Sequence, residues 1–164
     1  PPRSWAAASR EALPSPAAPA DYDVMDGIKY AFALPDGTGS CWMITGARTA
    51  SGDADAGAPL VNCALPFAND APLVFDRLEG SSGPPTGLVI DGLGAWGTWI
   101  QSPSAISPKT LPVGASLTVS HMTCEMLGES SVRCAAQTGE FLFQGGKRQS
   151  RAMSRLERRQ PAPA

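Results

Sequence analysis

Four cysteines, Cys41, Cys63, Cys124 and Cys134, each fall inside a short run of alternating apolar and polar residues. Alternation with period two is the signature of a half-buried strand. An even number of strand cysteines, with no pair spaced as CxxC, argues against a zinc ribbon or a thioredoxin-like motif. It points to disulfides, and so to a chain that matures in an oxidising compartment. Four cysteines allow three pairings. The favoured one is Cys41–Cys63 with Cys124–Cys134, because each pair closes a short loop between strands that can be neighbours.

Composition supports a turn-rich β protein. The chain has 164 residues, enough for one core, and 43% of them are hydrophobic. Its 17 glycines and 16 prolines make up about a fifth of the chain, against roughly 12% in average proteins. Charged residues are 17%, fewer than the usual quarter or so. No run of 18 apolar residues occurs, so no segment reads as a transmembrane helix. The chain opens at Pro1 without a charged-then-apolar leader and without a nearby cysteine. The expectation is an export leader already removed and no N-terminal lipid anchor.

Three zones follow. Residues 1–26 are rich in Ala and Pro and read as an arm or linker, with a short helix expected over 4–13 capped by Ser4. Residues 27–146 carry the folded body. Strands are expected at 28–34, 40–45, 60–65, 73–77, 87–91, 95–101, 116–127, 131–137 and 140–144, with a polar loop over 46–59. This predicts an all-β fold: a compact antiparallel sandwich or small barrel of about eight or nine short strands. Residues 147–164 form a basic tail. Lys147, Arg148, Arg151, Arg155, Arg158 and Arg159 face only Glu157, so the tail is +5 on a body of −7, for the net −2 of the chain. A short helix is expected over 149–159, with Met153 and Leu156 on one face.

Few residues point to chemistry. His121 is the single histidine. In one strand over 116–127 it shares a face with Thr123 and Glu125, opposite Met122, Cys124 and Met126. It lacks the GxSxG elbow that would mark a hydrolase, and copper ligation fails because His and Met point apart. Asp53 and Asp55 resemble a fragment of a calcium loop that lacks its remaining ligands. Trp96 and Trp99, beside glycines, suggest a partner surface; their spacing puts one in the core and one outside. The tail suits an anionic lipid, a wall polymer or an acidic protein. Nucleic acid is not expected, nor is a cofactor or a metal.

Three segments carry a resemblance. Phe32-Ala-Leu-Pro35-Asp-Gly37-Thr-Gly-Ser-Cys41 resembles the F-x-S-P-[SD]-G-N-x-x-C opening of small exported actinobacterial envelope proteins of unknown function. Cys124 through Val132-Arg133-Cys134, followed by Thr138-Gly139-Glu140-Phe141, resembles their close, and Leu111-Pro-Val-Gly114 the segment before it. Leu34 replaces their Ser, Glu140 their Gly. The resemblance implies disulfides and export but no activity. The expected function is that of a non-catalytic exported envelope protein that binds a protein or an anionic envelope component. The alternatives are an accessory subunit of a membrane complex and a small envelope hydrolase using His121.

Overall fold

Turn chemistry cuts the chain into strands. At Pro35-Asp36-Gly37 the carboxylate of Asp36 accepts from the Thr38 amide at 3.0 Å, and Gly37 takes φ +75°, a conformation only glycine adopts without cost. The strands on either side then pair antiparallel. The same logic repeats along the chain. The computed structural model describes residues 13–46, 59–100 and 107–149. The loop at 46–59 with Asp53 and Asp55 therefore falls outside the described residues, apart from its ends. So do the two expected helices, apart from Leu13 and Gln149.

The fold is all-β. An N-terminal sheet holds six strands in the order β2 (Asp23–Met25), β3 (Lys29–Ala33), β4 (Ser40–Ile44), β5 (Leu60–Ala64), β8 (Gly87–Asp91), β9 (Gly94–Thr98). A C-terminal sheet holds another six: β1 (Ser15–Pro16), β10 (Ala115–Val119), β11 (Met122–Met126), β12 (Val132–Ala136), β13 (Gly139–Gln144), β14 (Lys147–Arg148). A separate hairpin pairs β6 (Val74–Asp76) with β7 (Ser81–Gly83).

The two inner faces merge into one core. Across the N-terminal sheet the register aligns Phe32, Cys41, Cys63 and Leu88. Across the other it aligns Leu117, Cys124, Cys134 and Phe141. All eight are at most 1% exposed. Each disulfide thus joins residues directly opposite on adjacent strands, Cys41–Cys63 and Cys124–Cys134. The sulfurs of Cys41, Cys63 and Cys134 lie within 4.8 Å of one another, so the two bonds meet at the centre of the sandwich. Phe67 closes one end, edge-on to Phe143 at 4.9 Å.

Two expectations change. Residues 116–127 are a hairpin, not one strand: Val119 pairs with Met122, and Ser120 and His121 turn between them at φ +50° and +70°. Both angles are positive, as a tight two-residue turn matched to strand twist requires. The zone boundaries shift as well. Ser15–Pro16 adds in parallel to β10, with the Ser15 and Ala17 amides donating to Gly114 and Ser116 at 2.8 Å. Pro16 suits this edge because it has no N–H to place. Tyr22 is buried at 4% exposure, and its hydroxyl donates to the Thr110 carbonyl at 3.1 Å. Residues 15–25, expected in an arm, therefore belong to the packed body, and β14 carries the body into the expected tail.

Candidate functional site

The β6–β7 hairpin wraps edge strand β9 and shows two different faces. Alternation sends Val74 and Asp76 inward and Leu73 and Phe75 outward. Val74 sits over Gly97, where an added Cβ would come within 2.8 Å of it. Leu73, Phe75 and Leu78 are 67%, 59% and 81% exposed. Asp76 has no exposed surface. One of its carboxylate oxygens accepts a hydrogen bond from the Thr98 hydroxyl, and the other accepts the Leu78 and Glu79 amides at 2.8 and 3.0 Å. The Thr98 hydroxyl, then those amides and the Arg77 charge, hold the Asp76 carboxyl below the usual range, against the opposing effect of burial.

Arg77 completes the clamp. Its guanidinium lies over the Trp96 ring, 4.5 Å from the centroid, and donates to Asp91 Oδ2 at 3.1 Å. The Trp96 indole N–H donates to that same oxygen at 2.9 Å. Trp99 donates to the Ser81 carbonyl at 2.9 Å, and its ring lies where a side chain on Gly83 would be, 2.7 Å from that position. The alternation argument put one tryptophan in the core and one outside. Both are half-buried instead, because the hairpin curls round the edge of β9 and covers both of its sides. They brace the hairpin, and the exposed apolar side chains stand on its far face.

The outward face of the N-terminal sheet continues this chemistry. The register places Ala31, Trp42, Asn62, Val89 and Trp96 in one row across five strands. Lys29 lies over Trp42 at 5.3 Å, as Arg77 does over Trp96. Between the two rings the Asn62 Oδ1 is buried without a hydrogen-bond partner among the described residues.

His121 lines a different cleft, of about 220 Å³, with Ser120, Asp91, Gln137 and Thr138. A serine, a histidine and an aspartate thus share one hollow. They are not joined as nucleophile, base and orienting acid. Asp91 is taken by Arg77, Trp96 and the Leu93 amide at 2.9 Å. Among the described residues His121 is exposed and makes no side-chain hydrogen bond. The buried cysteine sulfurs offer no thiolate to a metal, since all four are in disulfides.

Two of the basic residues fold back. Lys147 pairs with Asp70 at 3.2 Å. Arg148 is half-buried, with Nη2 3.4 Å from the Ala95 carbonyl. Arg151, Arg155, Arg158 and Arg159 lie outside the described residues.

Sequence reasoning placed a strand at 73–77 but did not single out Leu73 and Phe75. Only once Asp76 is seen to turn inward does the alternation turn Leu73 and Phe75 out. No family model, no curated protein and no solved structure matches the chain. The resemblance to exported actinobacterial proteins therefore rests on the motif segments alone. Among the described residues no helix is long and apolar enough to cross a membrane, a statement that does not bear on β-barrels.

Proposed function

We propose that this chain is a non-catalytic, exported domain of the cell envelope that docks a protein partner through the outward face of the β6–β7 hairpin. One observation carries the reading: Leu73, Phe75 and Leu78 are largely exposed on an element latched by a buried aspartate. Large apolar side chains grouped on a solvent-facing element mark an interaction surface. The two disulfides support maturation in an oxidising compartment. Trp96 and Trp99 serve the partner indirectly, by holding the hairpin in place.

The test is capture of envelope proteins on the immobilised chain, repeated with Phe75→Glu and Leu73→Glu. Leu127→Glu is the control, at another exposed leucine (46% exposed) just past β11. One and the same captured protein should be lost with the hairpin variants and kept with Leu127→Glu, while Tm moves little in all three. Equal capture by all four proteins sinks the proposal.

A further inference from the structure

Beneath the hairpin lies a cavity of about 190 Å³ whose walls include Phe67, Pro72, Val74, Pro85 and Leu88. One charged side chain, Arg148, joins that apolar wall. A guanidinium has five N–H donors. Among the described residues the single hydrogen bond of this group is the long 3.4 Å contact from Nη2 to the Ala95 carbonyl. Its Nε is buried and, among those residues, has no acceptor. Among the described residues no carboxylate lies within ion-pair distance of it; the nearby Asp70 is paired with Lys147. Burial makes the charged form of Arg148 less favourable and lowers its pKa. A partly buried charge without a counter-charge carries a desolvation cost, and an anion in the cavity would relieve it.

We propose that this cavity binds a small monocarboxylate with an apolar body, the carboxylate on Arg148 and the body among Phe67, Val74 and Leu88. The planar guanidinium fork matches a carboxylate with two parallel hydrogen bonds. A phosphate would bring more charge and more lone pairs than one arginine among apolar walls can satisfy. The size fits: an engineered cavity of about 150 Å³ takes up benzene, so this one has room for a phenyl ring or a branched aliphatic chain. A second hollow of about 300 Å³ shares Phe67 and Pro85 as walls. The site lies on the inner side of the hairpin, so it stands or falls independently of docking on the outer side.

The experiment titrates the full, oxidised chain with 3-phenylpropionate, and in parallel with the matched alcohol 3-phenylpropanol, by calorimetry and amide chemical shifts. For a ligand of this size the dissociation constant should be on the order of 0.1–1 mM. The alcohol should bind at least about tenfold more weakly, since it cannot form the charge-assisted pair. Arg148→Met should remove the preference for the acid. Arg148→Lys, which keeps the charge but not the fork, should keep only part of it. Shifts should centre on Val74, Leu88 and Gly97. Equal binding of acid and alcohol by the native chain, no saturable binding of either, or shifts centred elsewhere would each overturn the assignment, whether or not the Arg148 variants fold.

Discussion

The two sheets share one core but turn different faces outward. On the C-terminal sheet the outward face sets Glu125 opposite Arg133 and Arg133 opposite Leu142, with Glu140 one pair along β13; Arg133 lies 3.8 and 3.6 Å from the carboxylates of Glu125 and Glu140. Thr118 and Thr123 share a hydrogen bond of 2.9 Å beside them. These are solvated contacts of the kind that contribute little to stability. On the N-terminal sheet the outward row is Trp42, Asn62, Val89 and Trp96, with cations laid over the rings and a hairpin wrapped round the edge. The same alternation builds both faces; only the outward residues differ. A charged, solvated surface is the product in one case, and in the other an apolar row in which Val89 is buried and the tryptophans are half-buried.

That contrast can be broken at several points. The core should be symmetric: Phe32→Ala in one sheet and Phe143→Ala in the other should each cost about 3–5 kcal/mol of unfolding free energy by urea titration. A cost well below that on one side would mean the sheets do not share the core equally. Next come the disulfides. Replacing either pair by alanines should cost about 3 kcal/mol, slightly more for Cys41–Cys63, whose sequence separation is 22 against 10. A reversed order would show that strain or the denatured state, not loop length, sets the difference.

The hairpin latch gives a smaller and more local effect. Asp76→Asn should speed hydrogen exchange at β6 and β7 by about tenfold to a hundredfold and leave β10–β13 unchanged. Its pH dependence has a defined sign. The folded carboxyl titrates below its ordinary value of 3.8, so its contribution is full above that pH and is lost as pH falls through the lower folded value. Acid should therefore loosen the hairpin of the native chain, and Asp76→Asn should flatten that part of the profile. Uniform exchange changes across both sheets would remove the distinction between latch and core. Smallest of all, Arg133→Gln on the solvated face should change stability by less than about 1 kcal/mol. A larger loss would make that face structural after all.

Much of the sandwich was legible from residue order. The strand cysteines, the alternation and the Gly/Pro punctuation place most of the strands and both cross-strand pairs. What escaped did so for identifiable reasons. The β10–β11 turn lacks the Asn-Gly or Asp-Gly signal of a tight hairpin. Yet the apolar positions switch from odd (Leu117, Val119) to even (Met122, Cys124, Met126), and that change of parity marks a two-residue turn. β1 escaped because Ser15–Pro16 sits in Pro/Ala-rich sequence whose extended backbone has no periodicity to detect. The role of Asp76 escaped because an acid in a short strand reads as solvated until a partner such as Thr98 is brought 22 residues back onto it. Arg148 escaped likewise: among six basic residues near the end of the chain, nothing local separates the one that lies against Phe67 and Leu88.

The two-residue strands β1 and β14 have a consequence for behaviour at high concentration. They occupy the two outer positions of the C-terminal sheet, where an open row of amides and carbonyls would otherwise template growth by addition of further chains. β1 ends in Pro16, which has no amide to offer, and β14 presents Lys147 and Arg148. Both are too short to seed a long ladder. Among the described residues the C-terminal sheet thus presents little edge to a further chain.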